Sequence, residues 1–196
     1  MKLYDSAISG NSYKIRLVLA QLGIPCTIVP VDILHGETRT PEFLRLNPNG
    51  RAPVLEDGDF VLAESNAMLI YLARGSRLVP EDRRRFALTL QWMFFEQYSH
   101  EPYIATSRFL LQHQPDSAER AAKLAVRREG GWAALRVMEG HLARRDFFVD
   151  GYTIADIALF AYTHVAREGG FPLGDFPAIR AWIARVQTEP GFIPMT

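Results

Sequence analysis

Cysteine is almost absent from this sequence, since Cys26 is the only one among 196 residues. One thiol cannot form an internal disulfide, a Cys-x-x-Cys redox pair or a cysteine zinc cluster. The five histidines include no His-x-x-x-His pair. We therefore expect no metal site, and the cysteine usage favours a reducing, cytoplasmic compartment.

Long apolar runs and an excess of one charge are missing as well. Nowhere do 18 apolar residues run together, and the N-terminus has no apolar stretch of secretory length. We therefore expect neither a membrane span nor an export signal. Lys and Arg total 22, as do Asp and Glu, which leaves no net field to attract nucleic acid.

Three motifs of common enzyme classes are also absent. The sequence contains no Gly-x-x-x-x-Gly-Lys-Ser/Thr loop, no Gly-x-Gly-x-x-Gly and no Gly-x-Ser-x-Gly. Their absence argues against a P-loop nucleotide enzyme, a dinucleotide-dependent dehydrogenase and a serine hydrolase with a nucleophile elbow.

The first 75 or so residues alternate between strand and helix patterns. A strand, helix, strand opening predicts a parallel pair, and a closing hairpin adds antiparallel strands to the same sheet. Cys26 is expected to pack within the second strand. The order β-α-β-α-β-β-α has these predicted elements: Lys2–Asp5, Asn11–Leu22, Cys26–Ile33, a helix from Thr40, a hairpin turning at Asp57-Gly58, and a helix that Ser65 caps.

Everything beyond Pro80 has helical patterns. Pro102 is expected to kink the first long helix, and Asp116 with Glu119 to cap a second that runs to about Arg144. Gly130-Gly131 within that second helix predicts close packing against a neighbour.

Two further helices follow. Thr153-Ile-Ala-Asp156 is expected to cap a helix that is apolar nearly all round and therefore buried. The last predicted helix runs from Pro177 to Val186. The fold class is α/β plus all-α: a thioredoxin-like domain over 1–76 and a helical bundle domain over 84–196.

Polar residues occupy two turns that lead into helices. Ser9-Gly-Asn-Ser12 stands between the first strand and the first helix, and Glu64-Ser65 precedes the helix after the hairpin. Helix N-termini carry N–H groups without intrahelical partners, and the helix dipole favours an anion there. The first of these turns is therefore a candidate for binding an anionic ligand.

The chain resembles the cytosolic glutathione transferases across both domains. The motif Arg51-Ala52-Pro53-Val-Leu, followed by Glu64-Ser65, matches the place where those proteins bind glutathione. Thr153-Ile-Ala-Asp156 matches the cap of their buried helix. Ser9-Gly-Asn-Ser12 matches the active-site turn of their serine-type, bacterial-like members.

This resemblance implies glutathione as cosubstrate, without a metal, and a set of site residues. Ser9 is the first candidate for the hydroxyl that stabilises the glutathione thiolate, with Asn11 and Ser12 as alternatives. Pro53 is implied to be cis, with the Ala52 backbone pairing with the cysteinyl part of glutathione. The implied contacts of the γ-glutamyl end are Glu64 and Ser65, and Arg51 with Thr38 or Arg39 adds contacts to the glycyl end. Ile8, Tyr103 and Arg108 are the expected contacts of a second substrate between the domains.

Three functions stay open on the sequence alone. The first is conjugation of glutathione to small electrophiles, a detoxification reaction. The second is a glutathione-dependent disulfide reductase or isomerase, and the third is a non-catalytic binding module with the same fold. The resemblance also implies a homodimer, and nothing in the sequence identifies the electrophile.

Overall fold

The structure, a computed structural model that describes residues 1–195, divides into two compact units. The first unit comprises Met1–Ser76 together with the segment from Glu189 onward, and the second comprises Arg77–Thr188. The first unit is a mixed sheet with helices, and the second is helical, which confirms the predicted fold class.

The C-terminal segment belongs to the first unit, whereas the predicted helical range 84–196 included it. The hydroxyl of Tyr13 donates to the carbonyl oxygen of Ile193 at 2.7 Å. At Gly191, which has a φ of +77°, an added Cβ would lie 2.7 Å from the Cα of Gln21. The segment is therefore held against the first helix by a hydrogen bond and by close backbone packing.

A four-stranded sheet forms the centre of the first unit, in the order β2-β1-β3-β4. β1 and β2 are parallel, while β1–β3 and β3–β4 are antiparallel, as the sequence pattern predicts. The strands are β1 Lys2–Asp5, β2 Thr27–Pro30, β3 Val54–Asp57 and β4 Phe60–Leu62.

Three α-helices accompany this sheet: α1 Gly10–Leu22, α2 Pro41–Leu46 and α3 Ser65–Ala73. Gly23 ends α1 in the left-handed region, with φ +64°, where glycine has no Cβ to clash. Thr40 caps α2 by accepting from the backbone N–H of Phe43, and Pro41 occupies the first turn. A short 3₁₀ turn, Glu37–Arg39, precedes α2.

Two details of the predicted first unit are wrong. The hairpin turns at Gly58-Asp59, one residue later than predicted, because Asp57 still pairs with Phe60 in the ladder. Gly58 supplies the positive φ (+65°) that this tight turn needs. The second strand begins only at Thr27, so Cys26 lies half-buried just outside it.

The helices of the second unit are α4 Arg83–Phe95, α5 Glu101–His113, α6 Ala118–Leu142, α7 Ile154–Thr163 and α8 Pro177–Gln187. A π-helical turn, Glu96–His100, joins α4 to α5, and a 3₁₀ turn, Ala166–Gly169, follows α7. Pro102 lies in the first turn of α5, directly after the π-helical turn, and proline has no N–H to donate at this position. The kink predicted at Pro102 stays a prediction, and the hydrogen-bond pattern of the helix changes in the π-helical turn directly before it.

The cap of α6 differs from the prediction. Ser117, and not Asp116, accepts a hydrogen bond at the helix start, from the backbone N–H of Arg120 at 3.1 Å. Asp116 instead forms an ion pair with the Arg120 guanidinium at 2.7 Å. A serine one residue closer to the helix has the better reach to the first-turn N–H groups.

Two glycines of α6 allow aromatic rings to approach the helix backbone. A Cβ added at Gly130 would lie 2.5 Å from the ring of Tyr103, and one at Gly131 would lie 2.4 Å from the ring of Phe171. The close packing predicted for this pair is confirmed, with aromatic side chains as the neighbours.

The helix α7 is the centre of the second unit, and every one of its residues is buried. Thr153 accepts from the N–H of Ala155, and Asp156 accepts from the N–H of Thr153 at 2.9 Å, so the predicted capping box is confirmed. Burial raises the pKa of Asp156 to about 6, against the opposing effect of the hydrogen bonds it accepts.

Candidate functional site

The turn before α1 is organised by serine side chains. Ser9 is the N-cap of α1, and its Oγ accepts from the backbone N–H of Ser12 at 3.3 Å. Ser12 is fully buried, and its own Oγ accepts from the N–H of Ser6 at 3.1 Å. Ser9 and Asn11 are both half-buried. This placement favours Ser9 and Asn11 over Ser12 for contact with a ligand.

The start of α3 differs from the prediction at one position. Glu64 is the N-cap, and Ser65 is the first helical residue, so the prediction that Ser65 caps the helix is wrong. The Ser65 hydroxyl donates instead to Oδ1 of Asn11 at 3.2 Å. This hydrogen bond joins the first turns of α1 and α3, which are 54 residues apart in the chain.

Glu64 has an unusual backbone conformation, with φ +69° and ψ +110°. It is the only non-glycine residue with positive φ among residues 1–195. This region of φ and ψ is unfavourable for a residue with a Cβ, and such strain collects at functional sites. The exposed Glu64 side chain stands beside the buried Ser65 at the start of α3.

The loop before β3 is held by one asparagine. The amide of Asn47, which is buried, donates to the carbonyl oxygen of Arg51 at 2.8 Å, and its Oδ1 accepts from the N–H of Asn49 at 3.0 Å. The peptide bond between Ala52 and Pro53 is cis, as the family resemblance implies. Sequence reasoning did not single out Asn47.

A buried lysine lies beneath the two turns, and sequence reasoning missed it too. Lys14 is fully buried, and its Nζ lies 3.4 Å from both Ser65 Oγ and Asn66 Oδ1. The signal was present in the sequence, because Lys14 is spaced with Leu17 and Val18 on the apolar face of α1. A charged residue on that face requires polar partners inside the fold.

The residues predicted to contact a second substrate have different surroundings. Ile8 is half-buried in the first unit. In the second unit, the Tyr103 ring packs on Gly130. Nε of Arg108 forms an ion pair with Glu168 at 2.6 Å, and the Arg108 side chain is only 14% exposed. Tyr103 and Arg108 thus both have structural contacts, and their part in substrate binding stays a prediction.

Neither a metal-binding cluster nor a membrane-spanning helix is present among residues 1–195. In that range, no three His, Cys, Asp or Glu side chains are grouped so as to hold a metal ion. No helix in the same range combines the length and the apolar character needed to cross a membrane.

The architecture is that of a thioredoxin-like domain followed by a helical domain, and the first unit contains both the polar helix starts and the cis-proline loop. Residues 1–74 match the family model described as "Glutathione S-transferase, N-terminal domain", and residues 91–190 match "Glutathione S-transferase, C-terminal domain". The chain belongs to the glutathione S-transferase family, which confirms the family resemblance stated from the sequence, while the serine-type active-site turn stays a prediction.

Relatives over nearly the full length carry several activities in their names. "Glutathione S-transferase 3" of Zea mays is 32% identical, over 98% of this chain and 91% of the maize protein. A zeta-class glutathione S-transferase of Euphorbia esula is 33% identical, over 85% of this chain and 76% of the Euphorbia protein. A disulfide-bond oxidoreductase of Escherichia coli (strain K12) is 27% identical, over 92% of this chain and 87% of the Escherichia coli protein.

Solved structures agree with this assignment. A glutathione S-transferase from Pseudomonas fluorescens superposes with a TM-score of 0.96 at 50% identity, over 99% of this chain and 98% of that one. A glutathione transferase from Burkholderia graminis superposes with a TM-score of 0.85 at 26% identity, over 97% of this chain and 84% of that one. That structure was solved with two glutathione molecules bound per subunit.

Proposed function

We propose that this protein conjugates the thiolate of glutathione to small electrophilic substrates. The observation that carries the proposal is the hydrogen bond from Ser65 to Asn11 at 3.2 Å, which brings the first turns of α1 and α3 together. Both helix starts favour anions, and glutathione has anionic groups for each of them. The glutathione molecules in the Burkholderia graminis neighbour support the same ligand here.

Each part of glutathione has a proposed partner in the first unit. The γ-glutamyl carboxylate is bound by the backbone N–H of Ser65 at the start of α3, and the γ-glutamyl ammonium by Glu64. The cysteinyl part pairs with the backbone of Ala52 as an added strand, beside Pro53. Arg51, whose side chain is exposed, contacts the glycyl carboxylate.

The proposed chemistry depends on lowering the pKa of the bound thiol. A free cysteine thiol has a pKa of ~8.5, so only a few per cent is thiolate at pH 7. A hydrogen bond to a charged group contributes ~1.5–3 kcal/mol, and a helix N-terminus ~0.3–1 kcal/mol. Because one pKa unit is ~1.4 kcal/mol, the two together lower the thiol pKa by ~1–3 units.

Ser9 and Asn11 are the proposed donors to this thiolate. A serine hydroxyl is too weak an acid to serve as the base, so the side chain acts by donating a hydrogen bond to the sulfur. The thiolate then attacks an electrophilic carbon, the carbon–sulfur bond forms, and a leaving group such as halide departs with the electron pair. Ile8, Tyr103 and Arg108 remain the proposed contacts of the second substrate.

The decisive experiment titrates glutathione into the protein and follows thiolate absorbance against pH. We expect the bound thiol to titrate ~1–3 units below free glutathione. Binding without any change in the thiol pKa would leave the non-catalytic binding module as the better description. Turnover of a panel of aryl halides and epoxides then identifies the electrophile class.

A glutathione-dependent disulfide reductase is the second candidate, favoured by the similarity to the Escherichia coli disulfide-bond oxidoreductase. In that reaction the thiolate attacks a disulfide sulfur, one half leaves as a thiol, and a second glutathione releases the other half with formation of oxidised glutathione. Adding mixed disulfides and isomerisable substrates to the same panel separates the reductase and isomerase from the transferase.

We also propose that the protein is a cytoplasmic homodimer, as the family resemblance implies. Light scattering during size-exclusion chromatography measures the mass in solution. A mass near twice the 22.2 kDa of the chain supports the dimer, and a mass near 22.2 kDa contradicts it.

A further inference from the structure

Lys14 differs from the other two lysines of the chain. The side chains of Lys2 and Lys123 are 52% and 42% exposed. Lys14 is fully buried at the beginning of the second turn of α1, and two of its hydrogen bonds go to the neutral oxygens Ser65 Oγ and Asn66 Oδ1. A buried ammonium is costly unless its hydrogen bonds are well placed, so this position calls for an explanation.

Lys14 is linked to Asn11 by two hydrogen bonds that meet at the Ser65 hydroxyl. The direction of each bond follows from which group has a proton to donate. A lysine ammonium donates only, so Ser65 Oγ accepts from Lys14. The single hydroxyl proton of Ser65 is then directed to Oδ1 of Asn11, 3.2 Å away. With its oxygen held by Ser65, the Asn11 amide turns its NH₂ group away from Ser65.

We propose that Lys14 is a positioning residue for the glutathione thiolate. Through Ser65 it fixes the orientation of the Asn11 amide, so that the donor side of the amide is presented to the sulfur. Its positive charge, in a low-dielectric interior near the start of α1, also favours the ionised form of the thiol. This inference rests on the proposed function, because it assigns a role within the same glutathione site.

A purely structural role for Lys14 makes a different prediction. In that case the ammonium only satisfies the polar atoms of Ser65 and Asn66, and its loss lowers the stability of the fold or the affinity for glutathione. The pKa of the thiol, measured once the site is saturated with glutathione, would then be unchanged. That pKa is therefore the quantity that separates the two roles.

The experiment measures thiolate absorbance against pH at saturating glutathione for the wild type, Lys14→Met and Lys123→Met. Methionine keeps the length and apolar character of the stem and removes the donor. We expect the bound thiol pKa to rise by about one unit in Lys14→Met, with kcat at pH 6.5 lowered roughly tenfold. Lys123→Met, which removes an exposed lysine of α6, is expected to behave as the wild type.

A second variant covers the case in which Lys14→Met does not fold. Ser65→Ala removes the hydroxyl between Lys14 and Asn11 and is expected to raise the bound thiol pKa by a similar amount. In the double variant the two rises should not add, because both changes break one chain of hydrogen bonds.

The outcomes separate this inference from the function on which it rests. If the wild type leaves the thiol pKa of glutathione unchanged, the proposed function is wrong and the role of Lys14 falls with it. If the wild type lowers that pKa and every folded variant, Lys14→Met or Ser65→Ala, lowers it equally, the positioning role alone is overturned.

Discussion

The indole Nε1 of Trp182 donates a hydrogen bond to Oδ1 of Asp156 at 3.0 Å, joining α8 to the start of α7. The same oxygen accepts from the backbone N–H of Phe148 at 3.2 Å, and Oδ2 accepts from the N–H of Thr153 at 2.9 Å. Both Asp156 and Trp182 are fully buried. One carboxyl group therefore connects three segments of the second unit.

Replacing this carboxyl group by an amide is expected to destabilise the second unit. Asp156→Asn retains the shape, but its NH₂ group faces the N–H of Thr153, which leaves a buried donor without an acceptor. Such a loss costs about 1–3 kcal/mol in the free energy of unfolding. Urea denaturation measures it. Asp146→Asn is the control, because that side chain is 81% exposed and lies 3.6 Å from Arg185; a change within about 0.5 kcal/mol is expected.

The contribution of Asp156 to stability is expected to depend on pH. Burial raises its pKa to about 6 from an ordinary value of 3.8. The folded state thus holds the proton more tightly than the unfolded state, so the stabilisation is full below pH 3.8 and is lost as pH rises through about 6. Two pKa units correspond to about 3 kcal/mol.

The measurement is the difference in unfolding free energy between the wild type and Asp156→Asn at several pH values from 4 to 7.5. That difference should shrink as pH rises, since the amide does not titrate. A difference that grows over this range contradicts the raised pKa.

The glycines of α6 are expected to respond oppositely to the same substitution. Gly131→Ala places a methyl group 2.4 Å from the Phe171 ring, which is itself buried and packed on Trp132. Overpacking of this kind costs about 1–3 kcal/mol. At Gly140, an added Cβ meets no atom of residues 1–195 within 4 Å.

Gly140→Ala is therefore the matched control within the same helix. It should stabilise the protein by about 0.5–1 kcal/mol, because alanine is the better helix former. Thermal unfolding of the two variants measures both effects. Equal shifts in Tm would show that the ring of Phe171 moves aside without cost.

The two roles of Ser9 are separable by choosing the replacement. Ser9→Ala removes the cap of α1 and should lower the free energy of unfolding by about 1 kcal/mol. Ser9→Gly should lower it by only a few tenths of a kcal/mol. Both remove the hydroxyl. If Ser9 donates to the thiolate, both variants raise the thiol pKa of bound glutathione equally, although only Ser9→Ala lowers the Tm clearly. An unchanged thiol pKa in both assigns Ser9 to capping alone.

Much of the fold could be predicted because local chemistry fixes it. The periodicity of α1, the left-handed Gly23 that ends it and the capping box of Thr153 and Asp156 all depend on residues close in sequence. The alternation of strands and helices in the first unit likewise follows from local patterns.

The misplaced details depend on contacts between distant residues. Ser65 is a good cap by composition, yet its hydroxyl is drawn to Asn11, and Glu64 takes the cap position in a strained conformation. The burial of Lys14 requires Ser65 and Asn66 of another helix. No local pattern contains these pairings, so the sequence indicated the candidate residues of the site but not the hydrogen bonds between them.

Cys26 is expected to take no part in the reaction. It lies half-buried before β2, and burial is the main cause that raises the pKa of its thiol, which lowers the thiolate fraction at neutral pH. Cys26→Ser should therefore leave the thiol pKa of bound glutathione unchanged and kcat/KM within about twofold of the wild type. A thiol reagent such as an aromatic disulfide should react with Cys26 more slowly than with free glutathione at pH 7.5. Loss of turnover in Cys26→Ser, with unchanged Tm, would instead make this thiol a participant and remove the need for a hydroxyl or amide donor at α1.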